Sequence, residues 1–462
     1  MDDIIFASTK TIAKAIQTKE VSSREIVESC LERIEQVNPK INAVVKKDAE
    51  TALEQAQDAD DALAKGNVQG PLHGVPMTIK DNLDTAGMVT TGGTKGRETF
   101  IPQEDATVVA RLREAGAILI GKTNTPELTL AYETDNLIYG RTNNPYDLSC
   151  TSGGSSGGAA AIVATGGIPF DIGSDTGGSI RLPSHCCGTA GIRPTSGRVP
   201  RTGHILPPGG ALDSLTQIGP MTRYAEDLAM ILPIIAGVDW RDPAIIPMPV
   251  RDPDSVDLSE LRIAFHDDNG IATPTEEIRT ATKSVADTLS NAGASVTEAC
   301  PPGIEQSLEL FSGLMVGDGG SGIRMLLDMY GTDEPHPWIQ RSLDRAREGQ
   351  LSVSQFSDLL LRLDVYRGQM LSFMENYDVI ICPVNATPAM QHGVNIGNIL
   401  NFSYTFTYNL TGWPGAVVRV SSTPDGLPIG IQIVTQPWRE DIALSVAGFL
   451  EQEFGGWQKP PI

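Results

Sequence analysis

The chain has 462 residues, of which 40% are hydrophobic and 20% are charged, as in an ordinary folded globular protein. This composition excludes an intrinsically disordered or fibrous chain. Because 35 Lys and Arg residues stand against 57 Asp and Glu residues, the formal net charge is -22, which repels phosphate backbones and anionic membrane surfaces. We therefore expect no nucleic-acid partner and no membrane binding.

The N-terminus and the cysteines bear on the compartment. The sequence MDDIIFASTKTIAKAIQ has acidic residues where a secretory signal is positive, and no apolar core follows. The longest apolar run, 228–238, is far shorter than the ~20 residues of a membrane-spanning helix. The six cysteines are scattered, and Cys186 and Cys187 are adjacent, which suits neither a disulfide framework nor a metal site. The sequence predicts a cytoplasmic protein with free thiols and no bound metal.

Helical patterns dominate the first 66 residues. Ser22 and Glu25 form a capping-box pattern that opens a predicted helix. Apolar residues then recur on one face of this helix, and alanines and leucines between Ala49 and Leu63 repeat the spacing in a further helix. The apolar face consists of Ile26, Cys30, Leu31, Ile34 and Val37.

Strand signals begin at about Leu72 and alternate with helical patterns to the end of the chain. Residues 300–375 carry few strand signals and predict a helical addition over the sheet. The alternation predicts the α/β class, as a single-domain α/β/α sandwich whose mixed central β-sheet is flanked by helices. The predicted strands are the alternating segment 75–79, AILIG at 117–121, IPFDIG at 168–173, LRIAF at 261–265, DVIICPV at 378–384, GAVVRV at 415–420 and IGIQIV at 429–434, with a closing helix after Arg439.

Two Gly-Gly-Ser elements lie close together, in TSGGSSGGAAA at 151–161 and in DIGSDTGGSIRLPSHCCG at 171–188. Glycines let main-chain N–H groups approach a ligand, so such an element can place a hydroxyl beside converging donors. An oxyanion hole needs this arrangement. Gly/Ser runs also occur as flexible linkers, but the flanks here are apolar and strand-like. The two elements therefore predict a catalytic site.

A histidine-based nucleophile is an alternative, because 153–157 fits the G-x-S-x-G elbow of α/β-hydrolases. Such an elbow needs an acid and a histidine downstream. The S-x-x-K arrangement of β-lactamases is missing after both Ser155 and Ser179. The downstream histidines considered, His204, His266, His336 and His392, lie in unremarkable sequence contexts.

Lys80 is the remaining candidate base, since it ends a predicted buried strand. Burial disfavours the ammonium form, so a neutral amine could accept a proton. Lowering the pKa from about 10.4 to between about 7 and 8 requires ~4 kcal/mol, which burial beside hydroxyl groups can supply. A surface turn at Lys80 and Asp81 is the plainer alternative.

Three segments in this order resemble the amidase signature family: GPLHGVPMTIKDN at 70–82, TSGGSSGGAAA at 151–161 and GSDTGGSIRLPSHCCGTAGIRPT at 173–195. The resemblance extends from the N-terminal helices through NLTGWPG at 409–415 and GLPIGIQIV at 426–434, and is weakest between about 240 and 375. It implies one amidase domain over residues 1–462. This domain divides into N-terminal helices at 1–66, a catalytic core at about 67–240 and 375–462, and a more variable helical region at about 240–375.

The resemblance also assigns catalytic roles. It makes Lys80 the base, Ser155 the bridging serine and Ser179 the nucleophile, and it implies a cis peptide bond between Gly154 and Ser155. No cofactor is required by this triad. The implied oxyanion donors are the main-chain N–H groups of Thr176, Gly177, Gly178 and Ser179.

Other positions are matched by the family with less specific roles. Ser156, Asp175 and Arg181 correspond to supporting positions, and Thr129 to a substrate-facing one. His185 and Cys186 stand where the family is more apolar, which leaves the shape of the pocket open.

The resemblance implies an amidohydrolase that cleaves a small aliphatic, aryl or anilide amide to an acid and ammonia or an amine. The A subunit of a glutamine-dependent tRNA amidotransferase, which needs partner subunits, and a fatty acid amide hydrolase-like enzyme are the alternatives. A non-enzymatic scaffold is disfavoured because all three catalytic positions are filled. A homodimer stays open, and the partner expected is a small-molecule amide. Four aromatic residues favour an apolar acyl or aryl group: Phe402, Tyr404, Phe406 and Trp413.

Overall fold

The structure, a computed structural model, describes residues 4–394 and 398–462, with the side chains of all of these except Ala211 and Leu212. In these ranges eleven strands form one mixed sheet, which confirms the predicted fold class. The strands are β1 Val44–Lys47, β2 Pro76–Lys80, β3 Ile118–Thr123, β4 Phe170–Asp175, β5 Ala190–Arg193, β6 Gln217–Thr222, β7 Arg262–Phe265, β8 Ser295–Glu298, β9 Val379–Pro383, β10 Gly415–Ser422 and β11 Pro428–Thr435. Their order across the sheet is β1-β3-β2-β4-β6-β5-β10-β11-β9-β7-β8.

Helices cover the sheet and close the core, and in the described ranges none is both long and apolar enough to cross a bilayer. The apolar residues that they bury against the sheet belong to one core that runs from Ile5 to Leu450. The helices are α1 Thr9–Gln17, α2 Ser23–Ile41, α3 Ala49–Ala64, α4 Thr107–Glu114, α5 Gly157–Ala164, α6 Arg181–Cys187, α7 Gly210–Asp213, α8 Ala225–Ile235, α9 Glu276–Asn291, α10 Ser307–Val316, α11 Ser321–Tyr330, α12 Pro337–Glu348, α13 Val353–Met374, α14 Ser403–Thr411 and α15 Glu440–Phe454.

The capping box predicted before α2 is present. The Ser22 hydroxyl accepts from the Glu25 N–H at 3.1 Å, and the Glu25 carboxylate accepts from the Ser22 N–H at 2.8 Å. Helix α2 ends at Asn42, which adopts the left-handed conformation that asparagine tolerates. The predicted apolar face is buried against the core, as expected from its helical spacing.

The sequence of strand β2 alternates between apolar and other residues, which is typical of a half-buried strand. All five of its residues are nevertheless buried, because the sheet is covered on both faces. The polar residues of the strand are therefore held by internal partners. Thr78 donates to the Asp171 carboxylate of β4 at 2.5 Å. Strands β2 and β4 run parallel with Thr78 opposite Asp171, so both strands end at the same edge of the sheet. This register brings Lys80 and the residues after Gly173 together.

The region 240–375 is only partly the helical addition that was predicted. Residues 307–374 form α10 to α13, in agreement with the prediction for 300–375. Residues 262–298, in contrast, contribute β7, α9 and β8, and β7, which confirms the strand predicted at 261–265, pairs in parallel with β9. The sheet thus continues into this region, because the buried Ile263 and Ala264 of β7 pair with the buried Val379 and Ile380 of β9.

Candidate active site

Lys80 is fully buried at the end of β2 and lies among three serine hydroxyls. Its Nζ is 2.7 Å from Ser155 Oγ, 2.9 Å from Ser156 Oγ and 3.1 Å from Ser174 Oγ. The plainer alternative of a surface turn at Lys80 is therefore wrong. Burial lowers the pKa of Lys80 well below its ordinary value, although the carboxylates of Asp175 and Asp171 oppose the shift.

A second layer of polar groups stands behind Lys80. Asn82 Nδ2 donates to Ser174 Oγ at 2.9 Å and lies 2.7 Å from His204 Nε2, while His204 Nδ1 accepts from the Leu206 N–H. Burial lowers the pKa of His204 to about 3, so its ring is neutral at physiological pH. Both ring nitrogens of His204 are thus engaged away from Ser155 and Ser179, and the ring reaches the site through Asn82.

The two Gly-Gly-Ser elements meet in space. The Ser156 N–H donates to the Ser179 carbonyl at 3.2 Å, and the Ser156 hydroxyl donates to the Ser174 carbonyl at 3.2 Å. The Gly154–Ser155 peptide bond is cis, as the resemblance implied. A Cβ atom on Gly154 would stand 2.6 Å from the Glu133 nitrogen, so only glycine fits at this close approach.

Asp175 and Arg181 form a buried pair below the second element. Arg181 donates to both Asp175 oxygens, from Nε at 3.0 Å and from Nη2 at 2.9 Å. Burial alone would raise the pKa of Asp175, but Arg181, Arg193 and the hydrogen bonds hold it well below its ordinary range. Arg181 Nη1 also donates to Gln432 of β11 at 2.7 Å, so the pair ties α6 to the sheet.

The structure differs from the sequence prediction at Gly178. Its N–H donates to Asp175 Oδ1 at 2.8 Å, and Gly178 does not line the cavity described below. Its φ of 126° requires glycine, and a Cβ atom there would meet Thr405 Oγ1 at 2.4 Å. Gly178 therefore holds the loop in shape, and Thr176, Gly177 and Ser179 are left as the candidate oxyanion donors.

A cavity of about 440 Å³ opens over Ser179. Its wall is mostly apolar and comes from four parts of the chain: the segment after β3, the loop before α6, helices α10 to α12, and Ile399 before α14. The lining includes Thr129, Tyr132, Glu133, Thr176, Gly177, Ser179, Phe311, Met315, Ile323, Trp338, Arg341 and Arg345.

Thr129 lines this cavity, in agreement with its expected substrate-facing position. It adopts a φ of 60°, which is uncommon for a β-branched residue. Its side chain is buried, and within the described part of the chain its Oγ1 has no hydrogen-bond partner. A buried hydroxyl without a partner costs free energy unless a ligand satisfies it.

Of the four aromatic residues expected to line the pocket, Phe402 and Phe406 pack behind it, and Tyr404 and Trp413 lie outside its described lining. Phe402 stacks on Tyr132 with centroids 3.8 Å apart, and Phe406 stacks on Phe311 at 4.7 Å. Tyr132 and Phe311 themselves line the cavity. The sequence analysis missed them because the signal of a pocket wall is tertiary: Tyr132 and Phe311 lie 179 positions apart in the chain.

The other predicted histidines and cysteines have structural roles. His185 and Cys186 are buried in α6, outside the cavity lining, and His185 Nδ1 accepts from the Gly430 N–H. The His336 ring accepts from the Trp338 N–H at the start of α12. All six cysteines are free, and five of them are buried, as expected for a protein with free thiols.

Ser174 and Asn82 were also missed by the sequence analysis. Ser174 is the second residue of the GSDTGGS motif, at the end of β4, and Asn82 lies two residues after Lys80. The parallel register of β2 and β4 is the signal that joins them, since it brings the ends of both strands to one place.

Comparisons with known proteins agree with this arrangement. A sequence model of the family Amidase matches residues 25–444. The chain is 33% identical to the A subunit of the glutamyl-tRNA(Gln) amidotransferase of Staphylococcus saprophyticus, over 98% of each chain. Among solved structures, it resembles fatty acid amide hydrolase (TM-score 0.87, 26% identity, 98% of this chain and 86% of that one). It also resembles a bacterial aryl acylamidase of the same family (TM-score 0.85, 27% identity, 96% of each chain). The chain therefore belongs to the amidase signature family, whose members hydrolyse carbon–nitrogen amide bonds.

Proposed function

We propose that the chain hydrolyses a carboxylic amide with an apolar acyl or aryl group through an acyl-enzyme on Ser179. The observation that carries the proposal is the 2.7 Å hydrogen bond between Lys80 Nζ and Ser155 Oγ, in a buried cluster beside the loop that presents Ser179 to the cavity. Because Lys80 is fully buried, water does not compete for the lone pair of its neutral amine. Lys80 can therefore act as the base.

The hydrogen bonds of the cluster favour Ser155 as the bridge. The Ser156 hydroxyl hydrogen is directed to the Ser174 carbonyl, so Ser156 Oγ faces Lys80 as an acceptor. A neutral amine has two N–H donors and one lone pair. Ser155 is the closest hydroxyl to Nζ, at 2.7 Å. In the proposed reaction it gives its proton to the lone pair of the neutral amine.

The proposed reaction uses these residues in turn. Ser179 passes its proton to Ser155 as Ser155 passes its own to Lys80, and Ser179 Oγ forms a bond to the amide carbon. The main-chain N–H groups of Thr176, Gly177 and Ser179 stabilise the oxyanion, each by about 2.7–4 kcal/mol. The proton returns through Ser155 to the amide nitrogen, and the C–N bond breaks. Water, deprotonated by the same relay, cleaves the ester and frees the acid.

The cavity supports the substrate class. Its aromatic and aliphatic lining, with Phe311, Met315 and Trp338, favours an apolar group next to the scissile amide. Thr129 Oγ1 offers a polar contact near Ser179, since its buried hydroxyl lacks a protein partner in the described residues. A fatty acid amide hydrolase-like activity would be an extension of the same preference to longer chains.

The relatives support a second candidate, because the staphylococcal protein named above belongs to an amidotransferase. In this candidate the same residues release ammonia from glutamine and a partner protein is needed. We favour the free-standing amidase, because the apolar side chains of the wall, including Phe311, Met315 and Trp338, suit an acyl or aryl group that glutamine lacks. We also propose one catalytic domain over 1–462 and a cytoplasmic location; a homodimer stays open.

A substrate panel separates the two candidates. The purified chain alone is assayed with hexanamide, acetanilide, hexanoyl p-nitroanilide and glutamine, beside the Ser179→Ala variant. We expect hydrolysis of apolar amides by the parent and none by the variant. A fluorophosphonate adduct should be found on Ser179 by mass spectrometry; an adduct on Ser155 would overturn the assignment of the nucleophile. The amidotransferase would be favoured if glutamine were the one substrate hydrolysed and if this activity required an added partner protein.

A further inference from the structure

Two arginines of α12 line the mostly apolar cavity. Arg341 and Arg345 are one helical turn apart, so they lie on the same face of the helix, and both are exposed. In the described ranges neither guanidinium has a hydrogen bond or an ion pair with another residue, unlike Arg347 of the same helix, which pairs with Asp344 at 3.7 Å. The cavity thus carries two cations that the protein itself leaves uncompensated.

The charge of the cavity is unusual for this chain. Among the described lining residues the one carboxylate is Glu133, which is buried and accepts from the Gly393 N–H at 2.9 and 3.1 Å. Two guanidinium groups against one carboxylate leave one excess positive charge, in a protein whose net charge is -22. This excess matches a single negative charge on a ligand.

We infer that Arg341 and Arg345 bind a carboxylate at the end of the substrate remote from the scissile amide. The inference rests on the proposed function and narrows its substrate class to amides that combine an apolar segment with a distal carboxylate. Guanidinium groups hold carboxylates in two-pronged hydrogen bonds, so the pair would select an anion and exclude a cation. The apolar side chains of the same cavity, including Ile323 and Trp338, fit the methylene or aryl spacer of such a substrate.

Two matched substrate series test this on the acyl side and on the amine side. The acyl series is hexanoyl p-nitroanilide, adipic acid mono-p-nitroanilide and 5-aminopentanoyl p-nitroanilide, which differ only in a methyl, carboxylate or ammonium end. The amine series is hexanoyl anilide and N-hexanoyl-4-aminobenzoate. We expect the anionic compound of at least one series to have the higher kcat/KM, and added salt to reduce its advantage.

The variants locate the effect. In Arg341→Gln and Arg345→Gln the ratio of kcat/KM for the anionic over the neutral substrate should fall by about 5- to 30-fold each. Arg347→Gln is the matched control, since Arg347 is on the same helix but outside the cavity lining, and its ratio should equal that of the parent. A double Arg341→Glu and Arg345→Glu variant should prefer the ammonium substrate.

A binding measurement keeps the inference independent of turnover. Calorimetry with the Ser179→Ala protein should show tighter binding of adipic acid mono-anilide than of hexanoyl anilide, and the double Arg341→Gln and Arg345→Gln change should remove the difference. Equal binding of the two ligands, with equal kcat/KM in both series, would overturn the inference. So would an anionic preference that persists in the folded double variant. Absence of hydrolysis of every amide, with the binding preference intact, would count against the proposed function alone.

Discussion

Asp175 accepts from the Gly178 N–H at 2.8 Å and from two nitrogens of Arg181, so one buried carboxylate holds both the loop that carries Ser179 and the helix that follows it. We expect Arg181→Ala to lower the free energy of unfolding by about 3–5 kcal/mol, because it leaves a buried charge without its partner. Urea unfolding measures this loss. Glu309→Gln, which breaks an exposed pair with Arg362, is the control and should cost less than about 1 kcal/mol. Similar losses in both variants would contradict the role of the buried pair.

Lys80 should set the pH dependence of the reaction. Its lowered pKa means that the active neutral form accumulates as pH rises through that pKa, so kcat/KM should rise with pH and then level off. Lys80→Ala should lower kcat/KM by about 10²- to 10⁴-fold. The pH–rate profiles of both proteins, with folding verified by circular dichroism, provide the test. A limb near a histidine pKa of about 6.5 that survives in Lys80→Ala would establish the histidine-based elbow instead.

Asn82 should act on the reaction through Lys80. Asn82→Ala removes the donor to Ser174 Oγ and opens space beside the cluster, which relieves the desolvation that lowers the pKa of Lys80. The rising limb of the pH–rate profile should therefore move to higher pH. Asn269→Ala removes another buried asparagine, whose amide donates to Ser403 away from the cluster, and should leave the limb in place. An unchanged limb in Asn82→Ala would show that Asn82 serves folding only.

The Thr129 hydroxyl should contribute to substrate binding. Because Oγ1 has no protein partner in the described residues, Thr129→Val removes only a contact to the ligand, and KM should rise by about 3- to 10-fold. Thr125 is a matched control, since its buried Oγ1 likewise lacks a partner in that part of the chain but lies outside the cavity lining. Steady-state kinetics of Thr125→Val should match the parent. A KM unchanged in Thr129→Val would remove Thr129 from the substrate site.

Local sequence signals predicted much of the fold. The capping box of α2 and the apolar runs of β3, β9, β10 and β11 depend on neighbouring residues, and each was found where expected. Strand β6, with the sequence QIGPMT, was missed because its glycine and proline are rare within strands. The strand forms because β4 and β5 pair with it on both sides, which is a tertiary cause.

The candidate site also has parts that local motifs predicted and parts that depend on tertiary packing. The motifs identified Lys80 and the two serine elements, and the structure places Lys80 against Ser155 and Ser156. The cavity wall was not predicted, because Tyr132, Phe311 and Trp338 meet only through the packing of separate segments. Nor does a motif show that the Gly178 N–H is engaged by Asp175, since that depends on the direction of one peptide group.

The residues proposed to transfer protons and many of the residues that form the cavity wall come from different parts of the chain. The groups of the proposed proton relay come from residues 80–179, whereas a large part of the wall comes from α10 to α12, within residues 307–348. These helices are inserted between β8 and β9 and supply none of the hydrogen bonds around Lys80. Substitutions in them can accumulate without disturbing proton transfer. Such an arrangement lets one ancestral reaction be passed on unchanged while descendants diverge in the molecules on which they act.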